Sequence, residues 1–249
     1  MNFVEVEVSS DIATVFLSRG KVNALNALVV DELKACLSAL EGDRDLKALI
    51  LTGRGKFFSF GFDIPEFLGL TQEAFTDFVT NFTELYTRLF LYPKPVVAAL
   101  NGHAIAGGCM LALACDNRVM AAGKSKIALN EIAFGSTVFA GSTEMLRFLV
   151  GNANATEILY SGALYSAEEA MRLGLVQAVI PEEDLMVAAR RIATNLASKP
   201  AAAWASIKAL LRKPIAEAMM QRERKSIREL VDIWYSEPTW AKLQDIKIR

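Results

Sequence analysis

Hydrophobic and polar residues alternate at the start of the chain, and longer periodic patterns follow. From Val4 to Val8, valines alternate with glutamates, which predicts a half-buried strand with residues 12–17 as its hairpin partner. Strands alternating with helices then favour a mostly parallel sheet. The further strands are predicted at residues 48–52, 96–100 and 118–121, and the helices at residues 27–40, 71–91 and 107–114. The aromatic segment 57–70 shows no regular period.

The pattern changes after about residue 142, where helical spacing dominates. Helices are predicted at residues 142–150, 153–161, 166–173, 182–198, 201–211 and 215–236. In this part of the sequence only residues 176–180 have the pattern of a strand. The predicted fold class is therefore α/β, with an N-terminal α/β core and a C-terminal helical region.

Two glycine-containing turns follow predicted strands, at Gly55 to Asp63 and at Asn101 to Cys109. Ligands of open α/β folds usually bind at the carboxyl ends of strands. In the second turn a helix is predicted to begin at Gly107, and its free N–H groups would form an oxyanion site. Neither turn matches a phosphate-loop or dinucleotide-binding pattern. Taken alone, the glycines are better explained as residues that allow tight turns.

Glu131 is a lone carboxylate in the otherwise apolar segment that follows Lys126. A buried carboxylate has a raised pKa and can accept a proton near neutral pH. A salt-bridged glutamate, or one at a bend on the surface, fits the pattern equally well, so the residue alone leaves both interpretations open.

Composition excludes several classes of function. The 249 residues include 27 basic and 28 acidic side chains, and this balance argues against a nucleic-acid-binding protein. A single histidine, His103, excludes a His-rich zinc site, so no metal is expected. The three cysteines form no C-x-x-C pair, which favours a reducing, cytoplasmic compartment.

One uncharged stretch, Pro95 to Cys115, is long enough to cross a bilayer. A turn signal at Asn101 and Gly102 divides it, so a buried strand followed by a buried helix is the better prediction. The first residues include Glu5 and lack a basic-then-apolar run, so we expect no ordinary signal peptide. No association with a membrane is expected.

Several segments, in their order along the chain, resemble the enoyl-CoA hydratase/isomerase (crotonase) superfamily. They are Lys21 to Asn26, Phe58 to Asp63, Asn101 to Asp116, Ala167 to Ala170 and Gly174 to Val176. The resemblance implies a crotonase-like spiral of ββα units in residues 1–195 and a C-terminal helical region in residues 196–249 that supports trimerisation. It also implies an acyl-CoA thioester as substrate, no other cofactor, and a homotrimer or dimer of trimers.

The resemblance also assigns roles to individual residues. The backbone N–H groups of Phe62 and Gly107 would form the oxyanion hole, and Glu131 would be the catalytic acid/base. The expected CoA-binding residues are Val22, Ala24, Gly61, Asp63, Ile64 and Lys208. Asp63 and Asp116 also have structural interpretations as a cap and an anchor, and His103 is expected to shape its turn.

The departures from the family pattern favour one reaction. Hydratases of the family carry a glutamate directly after the Gly-Gly-Cys segment, and here that residue is Met110. Their second glutamate follows a proline, and here the pair is Asn130 and Glu131. A single carboxylate is poorly equipped to hydrate a double bond but is sufficient to move one. The expected activity is therefore isomerisation of 3-enoyl-CoA to 2-enoyl-CoA through a dienolate.

Other activities remain open at this point. The scaffold also fits a hydratase, a thioester hydrolase or a decarboxylase, since a shared fold fixes the thioester chemistry and not the reaction. A non-catalytic acyl-CoA-binding subunit is a further alternative, motivated by the missing acid at Met110. The retention of Glu131 and both glycine turns argues against it.

Overall fold

A computed structural model describes residues 1–246 and shows a six-stranded sheet in the order β1-β2-β3-β5-β7-β9. These strands are β1 (Val4–Ser9), β2 (Ile12–Leu17), β3 (Ala48–Gly53), β5 (Val96–Leu100), β7 (Asn117–Ala121) and β9 (Ala178–Ile180). The first two form the predicted antiparallel hairpin, and every later neighbour pairs in parallel. The predicted mostly parallel sheet is confirmed.

A second, three-stranded parallel sheet was not predicted. It consists of β4 (Phe57–Ser59), β6 (His103–Ile105) and β8 (Ile127–Ala128). Each of these short strands follows a strand of the large sheet. Three times, therefore, the chain passes from the large sheet to the small one and then returns to the large sheet through one or more helices. This repetition of two strands and a helix is the ββα spiral that the family resemblance implied.

Nine helices lie in the described part of the chain, and several begin at a residue whose side chain caps them. Asn26, Thr71 and Ser166 each accept a hydrogen bond from a backbone N–H of the first helical turn. The helices are α1 (Ala27–Gly42), α2 (Ile64–Phe67), α3 (Gln72–Phe90), α4 (Gly107–Ala114), α5 (Ala140–Ser161), α6 (Ala167–Leu173), α7 (Leu185–Ala197), α8 (Ala201–Trp234) and α9 (Glu237–Gln244).

The longest helix corrects the prediction of two helices at 201–211 and 215–236. Helix α8 continues through Pro214, although proline has no N–H to donate to the carbonyl of Leu210. That carbonyl lies on an exposed stretch, where Leu210 is 76% exposed, so water can satisfy it. The buried side of α8 is uninterrupted, from Lys208 through Ala216 to Trp234, and packs against α3 and α5. Packing of this side outweighs the local cost of the proline.

The segments at 142–150 and 153–161 belong to α5, which departs from helical geometry at Gly151. The interruption therefore lies where the two predicted helices would meet.

The uncharged stretch from Pro95 to Cys115 forms β5, β6 and α4, and almost all of it is buried in the protein. None of the helices within residues 1–246 combines the length and the apolar character that a membrane crossing requires. Residues 247–249 of the predicted C-terminal region lie outside the described residues.

Candidate active site

A cavity of about 220 Å³ lies where the two glycine turns and Glu131 meet. Its wall includes Phe62 from the first turn, Gly107 from the second, and Glu131 from the segment after β8. Residues far apart in the sequence are therefore brought to one place, as the order of the motifs predicted. The turns after β3 and β5 reach this place because both strands run in the same direction.

The first turn is held against the segment that contains Val22 and Ala24. The N–H of Leu25 donates to the carbonyl of Gly61 at 2.7 Å, and the N–H of Asp63 donates to the carbonyl of Leu25 at 2.9 Å. Phe62 lies between these two bonds, and its own N–H donates no hydrogen bond within the described chain. The amide of Phe62 is therefore available to a ligand, as an oxyanion-hole donor must be.

The second turn brings the start of α4 beside the first. Ala106, the residue before the helix, has a φ of 49°, which L residues rarely adopt. Gly107 is the first helical residue, so its N–H has no acceptor within the helix. The helix dipole adds partial positive charge at this end. The amides of Phe62 and Gly107 thus both belong to residues of the cavity wall and have no acceptor in the described part of the chain.

Glycine is required where the two turns touch. At Gly61, which has a φ of +89°, a Cβ atom would lie 3.2 Å from the amide nitrogen of Gly107. At Gly107, a Cβ atom would lie 3.0 Å from the ring of Phe62. Larger side chains would therefore push apart the two amides that face the cavity.

Glu131 begins a one-turn 3-10 helix shortly after β8 and is 7% exposed. Its Oε2 atom is buried and makes no hydrogen bond in the described part of the chain. Burial raises the pKa of this carboxyl to about 8, because the charged form loses its solvation. Of the two interpretations that the sequence left open, the buried carboxylate is correct.

Met110 lines the same cavity, one turn into α4, and is 1% exposed. The position at which a hydratase of the family carries its other glutamate is therefore apolar here. Among the residues that line the cavity, Glu131 is the one carboxylate. The site can accept a proton and hold an oxyanion, and it offers no second acid.

The predicted CoA-binding segments lie side by side. Val22 and Ala24 are buried next to the Gly61 turn, and Ile64 lines the cavity. Asp63 caps α2 by accepting from the N–H of Glu66 and forms an ion pair with Arg19 at 2.6 Å. The structural interpretation of Asp63 is confirmed, and its carboxylate is already engaged.

The structure does not bring Lys208 to this site. Its ammonium group is buried and pairs with Asp116 at 2.8 Å. Asp116 in turn accepts from the N–H of Val96, at the opposite end of β5 from the oxyanion turn. Lys208 therefore belongs to a buried ion pair and is not among the residues that line this cavity. The sequence placed it on the C-terminal helix but did not show that this face of the helix is buried.

The remaining prediction concerns the turn that contains His103. The ring of His103 packs against Phe57, and its Nδ1 accepts from the N–H of Lys126, so the residue shapes the turn as expected. Phe62 makes edge-on contacts with Phe78 and Phe82 in the core and also lines the cavity.

The C-terminal helices contribute to the cavity of their own chain, which the sequence did not predict. Leu230 and Trp234 from α8 line it, together with Ile246. The apolar residues at helical spacing in α8 indicated that one face of the helix is buried. Spacing alone does not show which part of the protein that face packs against. These three residues therefore belong to the site as well as to the helical region.

Known proteins resemble this chain over most of its length. A family model described as enoyl-CoA hydratase/isomerase matches residues 7–236. A probable enoyl-CoA hydratase from Bacillus subtilis is 35% identical over 85% of this chain and 82% of its own. The mitochondrial enoyl-CoA delta isomerase 1 of Mus musculus is 32% identical over 90% and 78%. The crystal structure of human mitochondrial delta3-delta2-enoyl-CoA isomerase superimposes with a TM-score of 0.92 at 29% identity, covering 97% of this chain and 95% of that one.

Proposed function

The chain belongs to the enoyl-CoA hydratase/isomerase family, and we propose that it isomerises 3-enoyl-CoA thioesters to trans-2-enoyl-CoA. The observation that carries the proposal is that Glu131, which is buried, is the one carboxylate among the residues that line the cavity, where Met110 occupies the place of the other acid. The family accounts for enoyl-CoA thioester chemistry, and the residues of this chain favour one reaction within it.

The reaction needs one base and one oxyanion hole. The Glu131 carboxylate removes a proton from C2 of the 3-enoyl-CoA, and the C–H electrons form a dienolate whose negative charge lies on the thioester oxygen. The N–H groups of Phe62 and Gly107 donate to that oxygen and stabilise the charge. The protonated Glu131 then returns the same proton to C4, and the double bond moves to C2–C3. Protons and electrons balance without water or an external acid.

The raised pKa of Glu131 suits both halves of this cycle. A carboxyl group whose pKa lies near the working pH can both accept a proton and release it, because neither its charged nor its neutral form is strongly favoured. The apolar wall formed by Met110 and Phe62 excludes water, which strengthens the hydrogen bonds to the oxyanion.

The decisive experiment replaces Glu131 with glutamine, which keeps the shape and removes the base. We expect Glu131→Gln to lower isomerase turnover on a 3-enoyl-CoA by about 10²-fold or more, measured by formation of the conjugated 2-enoyl product. Glu157→Gln, at an exposed position of α5, is the matched control and should retain wild-type turnover. Full turnover of the Glu131 variant would refute the proposal.

Hydration of 2-enoyl-CoA is the second candidate, because the Bacillus subtilis relative is named a probable hydratase. We expect hydration by the wild-type protein to be slow. Met110→Glu should raise the rate of hydration from this low value if the cavity can still seat a water molecule. Met110→Gln, which is similar in size and uncharged, is the control. Rapid hydration by the wild type would show that one carboxylate is sufficient and would favour the hydratase.

The assembly and the compartment are part of the same proposal. Exposed apolar side chains on α8, among them Leu210, support a homotrimer or a dimer of trimers. The thiols of Cys36, Cys109 and Cys115 are buried and unpaired, which supports a reducing, cytoplasmic compartment.

A further inference from the structure

The segment from Glu131 to Gly141, which we call the base loop, connects the proposed base to the start of α5. Helix α5 begins at Ala140, and the residue before it is Phe139, whose side chain cannot cap a helix. The first N–H groups of α5 therefore need acceptors from elsewhere in the chain.

Helix α8 supplies these acceptors from more than 80 residues away. The N–H of Gly141 donates to Oε2 of Glu223 at 2.7 Å, and the N–H of Ala140 donates to Oγ of Ser226 at 3.0 Å. The carboxylate of Glu223 thus lies at the positive end of the α5 dipole, where negative charge is stabilised. Two side chains of α8 replace the cap that α5 lacks.

Helix α9 holds the other part of the base loop. The hydroxyl of Thr239 donates to the carbonyl of Gly135 at 2.8 Å. Gly135 follows the 3-10 turn that begins with Glu131, and it adopts a left-handed conformation with a φ of 84°. The loop is therefore attached to the C-terminal helices both shortly after the base and at its end.

The packing around Glu223 leaves little freedom. Glu223 is 8% exposed, and a Cβ atom on Gly141 would lie 2.5 Å from its Oε2 and 2.4 Å from the hydroxyl of Tyr86. Glycine at position 141 is thus what lets the carboxylate reach the backbone. A side chain this buried, whose hydrogen-bond donor lies on a distant loop, has a specific structural role.

We propose that Glu223, together with Ser226 and Thr239, forms a positioning cluster that fixes the base loop and so sets where Glu131 meets the substrate. These residues do not touch the cavity's reacting region; they act through the backbone of the loop. Phe139, inside the loop, lines the cavity, and the centroid of its ring lies 6.3 Å from that of Phe62. Movement of the loop would therefore also disturb the residue whose N–H we assign to the oxyanion hole. The catalytic part of this inference rests on the proposed function.

The kinetic test compares two substitutions at one position. Glu223→Ala removes the acceptor, and we expect kcat to fall by about tenfold or more with KM within about threefold of wild type, because the base is misplaced while binding remains. Glu223→Gln still offers an oxygen to Gly141 and should restore most of kcat. Glu229→Ala, on the exposed side of α8, is the matched control and should leave both constants unchanged.

Hydrogen exchange tests the anchoring without activity. In the intact protein, amides within residues 131–141 should exchange faster in Glu223→Ala and in Thr239→Val than in wild type or Glu229→Ala, while those of β3 and β5 keep their protection. Thr239→Val is isosteric and tests the second anchor should Glu223→Ala fail to fold.

Unchanged exchange in residues 131–141, or an equal rise throughout the molecule, would overturn the inference. So would faster exchange of the base loop with kcat unaffected, because the loop would then not position the base. Absence of isomerase turnover in the wild-type protein would instead count against the proposed function, and the exchange measurement would still decide whether the cluster anchors the loop.

Discussion

Burial of the Glu131 carboxyl makes the stability of the fold depend on pH. Its pKa is about 8 in the folded protein, against an ordinary value of 4.5. Between these two pH values, the folded protein therefore keeps a proton on Glu131 that the unfolded chain has already lost. This contribution to stability is fully present below pH 4.5, declines as pH rises, and is lost above about pH 8.

We predict that Glu131→Gln stabilises the protein, and that it does so more at pH 8.5 than at pH 5. Glutamine stays uncharged, so the variant escapes the cost of ionising a buried group. With about 1.4 kcal/mol for each unit of pKa difference, the gain in the free energy of unfolding should be about 4 kcal/mol larger at pH 8.5 than at pH 5. Urea unfolding at the two pH values measures it.

Glu157→Gln provides the reference for this comparison, because Glu157 is exposed and the substitution changes charge by the same amount. Its effect on the free energy of unfolding should be small and equal at both pH values. A Glu131 variant that behaves in the same way would show that the carboxyl is already ionised at little cost in the folded protein.

Individual site residues were predictable to different degrees. Glu131 and Met110 were found because each stands at a fixed place within a motif. The ion pair between Lys208 and Asp116 was not predicted, because it joins residues 92 positions apart. Glu223 was missed for the same reason: nothing near it in the sequence indicates that it accepts from the backbone of Gly141. Long-range pairing of buried charges has no local signal in the sequence.

At the scale of the elements, α4 is polarised from end to end. Its N-terminus presents the amide of Gly107 to the cavity, and its C-terminus is capped by two buried arginines. Arg118 donates to the carbonyl of Cys115 at 2.8 Å, and Arg212 donates to the carbonyls of Ala114 and Cys115 at 2.9 and 3.0 Å. Cations at this end are favoured by the helix dipole.

We predict that Arg212→Leu destabilises the protein by about 3–5 kcal/mol, because it leaves buried carbonyls without donors and Asp116 without one of its two cations. The guanidinium also donates to the carbonyl of Phe90 at the end of α3, so one substitution uncaps two helices. Urea unfolding measures the change. Arg191→Leu, on the exposed side of α7, should change stability by less than about 1 kcal/mol, and an equal loss in both variants would contradict the capping role.

The elements also show what periodicity can and cannot predict. The long helices and the strands of the large sheet were located, because each spans enough residues to display its period. Strands β4, β6 and β8 have only two or three residues, which is too short for alternation to appear. The continuity of α8 through Pro214 was missed because tertiary packing outweighs the local preference of proline.

At the scale of the whole molecule, the spiral came from the family resemblance and not from periodicity. Patterning predicted one mostly parallel sheet, and the second sheet that makes each unit ββα was invisible to it. The placement of the helical region against the cavity was also not predictable, since Leu230 and Trp234 meet the site only through the packing of α8 on α3 and α5. The order of the motifs along the chain identifies the architecture. The contacts of α8 with α3 and α5, which the sequence does not show, complete the wall of the cavity.

One part of α8 remains uncovered in the single chain. Leu210 and Leu211 lie one helical turn after Ile207, and the three are 76%, 58% and 58% exposed. Three neighbouring apolar side chains on one helix form a patch of the kind that association buries, unlike single exposed residues, which are common in monomers.

We therefore predict a mass near three or six times that of the 27.2 kDa chain in sedimentation equilibrium. Leu210→Lys places a charge within the patch and should shift the protein toward smaller species, because an ammonium group is costly to bury. Val187→Lys, at an equally exposed apolar position on α7, should leave the mass unchanged. A wild-type protein that sediments as a monomer would refute the trimer, and retention of the wild-type mass by the Leu210 variant would show that another surface joins the subunits.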